Sequence, residues 1–133
     1  MSLAVVDASV LVAFYTSDDP RRDHAAARLS AGHGLFAPAH LDAEVTSALR
    51  RLATGNTALG QSVPAALRHL VGFPIRRMPL GPLLERVWQL RDNMSVYDAA
   101  YVALAEQTDA IVLTCDAKLT NTPGAACTFD LIA

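Results

Sequence analysis

Short apolar runs, each followed at once by polar residues and a helical stretch, are the feature that most constrains how this chain can fold. The clearest are Leu3–Val6 and Ile111–Thr114, in which β-branched side chains are frequent. A short run that is apolar at nearly every position, rather than at alternate positions, is typical of a strand buried on both faces. Such strands belong to parallel sheets, whose crossover connections place helices over both faces. The sequence therefore predicts an α/β fold with a mainly parallel sheet.

Weaker strand candidates and helical segments complete this alternating pattern. The further strands are predicted at Leu35–Ala37, Ile75–Met78 and Cys127–Leu131. Apolar spacing and capping residues predict helices at Asp7–Tyr15, Pro20–Leu29, His40–Thr54, Thr57–Gly72, Gly81–Asn93, Ser95–Gln107 and Asp116–Leu119. Pro64 is expected to begin a new helix or to kink the helix that contains it. No repeat, linker or low-complexity tract interrupts the pattern, so residues 1–133 are expected to form a single domain.

Composition bears on location and on the partners that the chain could bind. The formal net charge is −2, so a polyanion would have to be held by local basic patches and a bound cation rather than by overall attraction. No stretch approaches the roughly 20 apolar residues of a membrane span, and the N-terminus has no basic leader. Cys115 and Cys127 form no CxxC motif and fit a reducing compartment. A cytoplasmic protein without a membrane partner is expected.

Two aspartates follow the two clearest strands. Asp7 comes directly after the first strand, and Asp116 follows the strand Ile111–Thr114 by one residue. Because the carboxyl ends of parallel strands meet at one edge of the sheet, both side chains are expected there, where ligands of such sheets bind. Each aspartate is equally suited to cap the helix that follows it. Taken singly, neither residue decides between a cap and a binding site.

Two further acids occupy unusual positions on helices. Glu44 is placed along the apolar stripe that is predicted from Leu41, Val45, Ala48 and Leu52. Asp98 precedes Tyr101 and Val102 at helical spacing and so also lies on an inward face. A carboxylate directed towards a core needs a compensating cation or a raised pKa. An Arg on a neighbouring helix would explain Glu44, and a capping box opened by Ser95 would explain Asp98.

A divalent cation would explain all four acids together. Mg²⁺ and Mn²⁺ prefer oxygen ligands and retain several waters, so a few carboxylates and a substrate phosphate suffice to hold them. The sequence contains no Ser–His or Cys–His pair in a catalytic context, and neither GxxxxGK[ST] nor GxGxxG occurs. Asp7, Glu44, Asp98 and Asp116 are therefore the candidate metal ligands.

Four segments, taken in order, resemble the PIN-domain ribonucleases and specifically the toxins of VapC type. These segments are VVDASVLVA, PAHLDAEVTSALRRL, SVYDAAYVALAE and IVLTCDAKL, and the resemblance covers nearly the whole chain. It implies a three-layer α/β/α sandwich around a central parallel sheet of five strands. It also implies that Asp7, Glu44, Asp98 and Asp116 bind Mg²⁺ or Mn²⁺ and are catalytic, with Ser9 and Thr114 supporting them. Asn121 departs from the polar or acidic residue found in some relatives, which leaves a second metal site open.

The resemblance further implies an activity and partners. The expected reaction is endonucleolytic hydrolysis of RNA that leaves a 5′-phosphate and a 3′-hydroxyl. The expected partners are an antitoxin of VapB type, which obstructs the acidic site, and a second copy of the chain. The pairs Arg21–Arg22, Arg50–Arg51 and Arg76–Arg77 are candidates for contact with the RNA backbone. Phe14, Tyr15 and Trp88 could line protein contacts, although ordinary packing in or near the core is the simpler interpretation of each.

Two other functions compete with this interpretation. A phosphoacceptor receiver domain also gathers acids at strand ends, but it would need adjacent acids after the first strand and an acceptor Asp after the third. This chain has only Asp7 at the first position, and Arg77, Met78 and Pro79 where the acceptor should be. The second alternative is a catalytically silent PIN-like module that only binds RNA or protein. The complete set of four acids favours the nuclease over both.

Overall fold

The structure is a computed structural model that describes residues 2–133, and its centre is a five-stranded sheet in which all paired strands are parallel. The strands are β1 (Leu3–Val6), β2 (Gly34–Pro38), β3 (Ile75–Met78), β4 (Ile111–Thr114) and β5 (Phe129–Leu131). Their order across the sheet is β3-β2-β1-β4-β5. Ala4, Val5 and Val6 of β1 are fully buried, as the continuous apolar run predicts for a strand covered on both faces. The predicted α/β/α sandwich is confirmed.

Helices connect all of these strands. They are α1 (Ala8–Tyr15), α2 (Arg22–Leu29), α3 (Leu41–Ala53), α4 (Thr57–Gly72), α5 (Leu84–Gln89), α6 (Val96–Thr108) and α7 (Ala117–Thr120). Helices α1, α2, α3 and α4 form one contacting group, whereas α5 packs on α6, which lies against β1, β2 and β4. Right-handed crossovers place these two groups on opposite faces, because the strand order reverses after β3. None of the described helices combines the length and the apolarity that a membrane crossing requires.

Several predicted boundaries are wrong. No new helix begins at Pro64, which was one of the two alternatives predicted there, because α4 runs through it; Pro64 and Gly60 are both exposed, so water can replace the hydrogen bond that proline cannot donate. The predicted helix Gly81–Asn93 is instead a 3₁₀ turn at Gly81–Leu83 followed by the shorter α5. Strand β5 begins at Phe129 rather than at Cys127. Element ends are the least determined part of such predictions, since tertiary packing decides where a marginal turn stops.

The side chains at two helix surfaces also differ from expectation. The buried stripe of α3 is formed by Leu41, Val45 and Leu49, while Leu52 is 47% exposed. Trp88 was expected to pack in or near the core but is 65% exposed, because α5 turns Val87 inwards. The guanidinium of Arg91 lies 4.2 Å from the centre of the Trp88 ring, an arrangement that suits a cation–π contact.

Candidate functional site

The candidate site lies at the carboxyl edge of the sheet, between β1 and β4. Strands β2 and β3 lie on one side of β1, and β4 and β5 lie on the other, so the order of the strands reverses between β1 and β4. Crevices in open parallel sheets form at such a reversal. Asp7 directly follows β1, and its backbone N–H donates to the Leu113 carbonyl of β4 at 3.0 Å. The first strand end is therefore fastened to the second, and Asp116 lies just beyond it.

Asp7 is a buried carboxylate, 6% exposed. It occupies the N-cap position of α1, but its side chain makes no capping hydrogen bond, so the cap interpretation is wrong for this residue. Burial raises the pKa of Asp7 to about 6, and the neighbouring Asp98 and Glu44 carboxylates also raise it; hydrogen bonds from Ser9 and Thr114 act in the opposite direction. The remaining oxygen, Oδ1, accepts no hydrogen bond within residues 2–133. Asp7 is thus an incompletely satisfied acid at the base of the site.

Two hydroxyl groups hold the Asp7 carboxylate in place. Ser9 Oγ and Thr114 Oγ1 both donate to Asp7 Oδ2, at 2.5 Å and 2.9 Å. The same hydroxyls accept backbone N–H groups beyond β4: Cys115 N–H donates to Ser9 Oγ at 2.9 Å, and Asp116 N–H donates to Thr114 Oγ1 at 3.0 Å. This network links β1, α1 and the end of β4. The two residues expected to support the acids are therefore in direct contact with Asp7.

Glu44 reaches the site from the first turn of α3. Its side chain is 31% exposed and lies at the margin of the buried stripe. Tyr101 of α6 donates its hydroxyl to Glu44 Oε1 at 2.6 Å, and His40 Nε2 lies 3.1 Å from the same oxygen. Neither ring nitrogen of His40 has a well-aligned hydrogen-bond partner in the described chain. Burial raises the pKa of Glu44, but the contacts with His40 and Tyr101 outweigh it, and the net pKa is lowered. The neighbouring Arg that was considered for Glu44 is not its partner.

Asp98 and Asp116 belong to the acidic cluster and also lie at the N-termini of α6 and α7. The backbone N–H of Asp98 donates to Ser95 Oγ at 3.1 Å, so Ser95 does cap α6, and the Ser95 hydroxyl also lies beside the Asp98 carboxylate. Burial, and then the proximity of Glu44 and Asp116, raise the pKa of Asp98. Asp116 Oδ1 accepts the Lys118 backbone N–H at 3.0 Å, as the cap interpretation predicted. Its second oxygen accepts no hydrogen bond within residues 2–133.

The four acids converge loosely rather than forming a closed cage. Asp7, Glu44 and Asp116 line one cleft of about 380 Å³, and Asp98 is close enough to influence the charge of the others. No three His, Cys, Asp or Glu side chains in residues 2–133 are arranged to hold a bare metal ion. Asp7, Asp98 and Asp116 also lack a salt-bridge partner in this part of the chain. A set of carboxylate oxygens that form no salt bridge with Lys or Arg in residues 2–133 fits a hydrated Mg²⁺ or Mn²⁺, which keeps several of its waters.

Sequence reasoning did not single out Tyr101 or His40 as parts of the site. Tyr101 was read only as an apolar position of α6, yet it is fully buried and its hydroxyl reaches Glu44. A Tyr three residues after a candidate acid would have indicated a buried hydroxyl that needs a partner.

Other polar residues that were considered lie outside the cluster. Asn121 donates its side-chain amide to the Ala117 carbonyl at the end of α7. Asp42 forms a salt bridge with Arg77, which also donates to the carbonyls of Leu70, Phe73 and Ile75. Arg77 thus fastens α3 and α4 to β3.

Sequence comparisons place this arrangement in a known family. The family model described as the PIN domain matches residues 4–125. Ribonuclease VapC9 of Mycobacterium tuberculosis is 35% identical over 130 residues, which are 98% of this chain and 98% of the relative. Ribonuclease VapC3 of the same organism is 41% identical over 115 residues, which are 86% of this chain and 83% of the relative.

Solved structures share the fold. VapC20 of Mycobacterium tuberculosis, a toxin that cleaves the sarcin–ricin loop, aligns with a TM-score of 0.70 at 17% identity over 87% of this chain and 92% of its own. The VapBC2 complex of Rickettsia felis, bound to a DNA fragment from its promoter, gives 0.69 at 10% identity over 98% and 99%. The family model covers most of the chain, and relatives above 30% identity span nearly all of it. The chain therefore belongs to the PIN-domain family.

Proposed function

We propose that this chain is a Mg²⁺- or Mn²⁺-dependent endoribonuclease and the toxin of a type II toxin–antitoxin pair. The observation that carries the proposal is the meeting of Asp7, Glu44, Asp98 and Asp116 at one sheet edge, where none of the four forms a salt bridge with Lys or Arg within residues 2–133. Relatives of 35–43% identity are ribonucleases of VapC type, so RNA is the substrate class that the family suggests.

Each acid would contribute differently to holding the cation. Asp7 offers Oδ1 from a carboxylate that Ser9 and Thr114 keep in one orientation. Glu44 offers Oε2, because Tyr101 and His40 contact Oε1. Asp98 and Asp116 each have oxygens without a cationic partner and would hold waters of the hydrated ion. When bound, the ion makes a water a better nucleophile and neutralises charge that develops on the attacked phosphate.

The residues of the chain would mainly bind the RNA and position its phosphates beside the acids. Positively charged side chains are needed beside the acids, because the net charge of −2 gives no general attraction for RNA. Hydrolysis by water would leave a 5′-phosphate and a 3′-hydroxyl.

We further propose that residues 1–133 act as a single domain in the cytoplasm and form a homodimer. A VapB-type antitoxin is the expected inhibitor, since solved relatives include a VapBC complex.

The test is cleavage of labelled RNA by the purified protein in Mn²⁺ and in EDTA. Asp98→Asn keeps the size of the side chain but removes its charge, so cleavage should fall by about a hundredfold or more while folding is retained. Asp92→Asn is the matched control, because Asp92 is exposed and is not one of the four acids of the cluster. Equal activity of the folded Asp98→Asn and Asp92→Asn variants would contradict the assigned site.

A second test uses living bacteria. Expression of the chain alone should arrest growth through RNA cleavage, and Asp7→Ala should relieve the arrest. Co-expression of a cognate antitoxin should relieve it as well, through a complex that purifies intact. Arrest that persists unchanged with Asp7→Ala would point to a catalytically silent module that acts by binding.

A further inference from the structure

The arginines of the chain differ in whether they pair within the fold or line the acidic cleft. Arg28 pairs with Asp130, Arg77 with Asp42 and Arg86 with Glu106, and each pair joins separate elements of the fold. Arg21 and Arg51 instead line the cleft that contains Asp7, Glu44 and Asp116. Arg51 is exposed, and within residues 2–133 its side chain donates only to Ser47 on its own helix, at 3.3 Å. Arg21 is the cleft arginine whose guanidinium is fixed.

Arg21 is held by Asp19 through one edge of its guanidinium. Arg21 Nε donates to Asp19 Oδ1 at 3.0 Å, and Nη2 donates to Oδ2 at 2.9 Å. The Arg21 backbone N–H also donates to Asp19 Oδ1, at 2.8 Å. The Asp19 side chain is only 12% exposed, whereas that of Arg21 is 38% exposed. The Asp19 carboxylate is therefore packed within the loop between α1 and α2, whereas the Arg21 guanidinium is partly exposed to solvent.

A second contact sets the position of Arg21 relative to the acids. Arg21 Nη1 lies 3.5 Å from the carbonyl oxygen of Cys115, the residue between Thr114 and Asp116. The N–H of Cys115 donates to Ser9, which in turn donates to Asp7. Arg21 is thus tied to the same backbone segment as the acidic cluster, although it forms no salt bridge with any of the four acids.

The free edge of this guanidinium suits a phosphate. Of the five N–H donors of the Arg21 side chain, three have partners within residues 2–133, and one donor on each terminal nitrogen has none there. Two adjacent donors on a planar group match two oxygens of a phosphate. Because Asp19 already fixes the group, little side-chain freedom would be lost when the phosphate binds.

We propose that Arg21 binds a backbone phosphate of the RNA beside the one that is cleaved, and that Asp19 is the positioning residue that orients it. This inference rests on the proposed ribonuclease function, which it deepens by naming the contact that places the RNA over the acids. A purely structural Arg21–Asp19 pair would close the loop between α1 and α2 but would not affect RNA affinity.

The test compares Arg21→Gln with Arg68→Gln, an equal loss of charge at an exposed position on α4. Binding of a short fluorescein-labelled single-stranded RNA is measured by anisotropy in EDTA across a salt series. Arg21→Gln should weaken binding roughly tenfold and reduce the slope of log affinity against log salt by about one, whereas Arg68→Gln should change neither. With Mn²⁺, the same variant should raise KM with little change in kcat, because the contact is made before and during the reaction.

A conservative variant keeps the inference testable if Arg21→Gln folds poorly. Arg21→Lys retains the charge but lacks the planar pair of donors, so it should restore the salt slope and only part of the affinity. RNA affinity and KM equal to those of Arg68→Gln in either folded Arg21 variant would overturn the assignment while leaving the nuclease intact. A wild-type protein that neither binds nor cleaves RNA would overturn the proposed function together with it.

Discussion

Replacing Asp7 with Asn should make the protein more stable in the absence of metal. Asp7 is buried, and its pKa is raised from 3.8 to about 6 in the folded state. A shift of about two units corresponds to roughly 3 kcal/mol by which ionisation of this carboxyl disfavours the folded state above pH 6. Asn has the same shape and its carbonyl can accept the hydrogen bonds from Ser9 and Thr114, but it carries no charge. The free energy of unfolding should therefore rise by up to about 3 kcal/mol.

The stability difference between Asp7→Asn and wild type should depend on pH. Below the unfolded pKa of 3.8 both states carry a protonated Asp7, so burial of the carboxyl costs little. Between 3.8 and about 6 the unfolded chain ionises first, and the folded wild type loses stability as the pH rises. Above about 6 the full penalty is present. The advantage of Asp7→Asn over wild type should thus be largest near neutral pH and should disappear as the pH falls towards 4.

The assay is thermal melting of wild type and Asp7→Asn in EDTA and in a Mn²⁺ series, over the pH range in which both refold. For a domain of this size a gain of about 3 kcal/mol corresponds to a rise in Tm on the order of 10 °C. An ion that binds only the folded state stabilises it by about 2.7 kcal/mol at a hundredfold excess over its Kd. Mn²⁺ should therefore raise the Tm of wild type and have little effect on the variant. A variant that is less stable than wild type in EDTA at neutral pH, or that gains as much from Mn²⁺, would refute the reasoning.

Three further substitutions test other parts of the structure. Tyr101→Phe leaves Glu44 Oε1 without its hydroxyl donor, so urea denaturation should show a loss of about 1–3 kcal/mol and titration with Mn²⁺ should show weaker binding. Arg77→Ala removes the salt bridge to Asp42 and three bonds to backbone carbonyls, so it should destabilise the protein by about 2–4 kcal/mol without changing the Mn²⁺-induced shift in Tm. Trp88→Ala should cost the monomer less than about 1 kcal/mol in urea denaturation at low protein concentration, because the ring is mostly exposed.

The sheet and its ends could be predicted from sequence because their causes are local. Fully apolar runs at β1 and β4 indicate strands buried on both faces, and a residue that follows such a strand must lie at the carboxyl edge. The positions of Asp7 and Asp116 follow directly from this argument. The length of α5 and the exposure of Trp88 do not, because helical spacing shows which residues share a face but not which face meets the sheet.

The contacts that orient the candidate site could not be predicted in the same way. Tyr101 and Glu44 are 57 positions apart, and Arg21 and Cys115 are 94 positions apart. Their meeting depends on how the helices on the two faces converge at one edge, which no periodicity in the sequence records. The four acids could be predicted from their positions at strand ends and on inward helix faces, and from the resemblance to PIN-domain ribonucleases. The groups that contact them were identified only from the distances between side chains in the structure.

The ends left on a cleaved RNA show whether the acidic cluster cleaves by metal-dependent hydrolysis. A divalent ion held by the four carboxylates would activate water, so cleavage should require Mg²⁺ or Mn²⁺ and should not leave a 2′,3′-cyclic phosphate. The resemblance to PIN-domain ribonucleases implies that the 3′-oxygen leaves, which gives 5′-phosphate and 3′-hydroxyl ends. The purified chain is incubated with an end-labelled RNA in Mn²⁺ or in EDTA, and the product ends are identified by phosphatase and ligase treatment. The account predicts 5′-phosphate ends in Mn²⁺ and intact RNA in EDTA. Cleavage that persists in EDTA, or that leaves 2′,3′-cyclic phosphates, would contradict it.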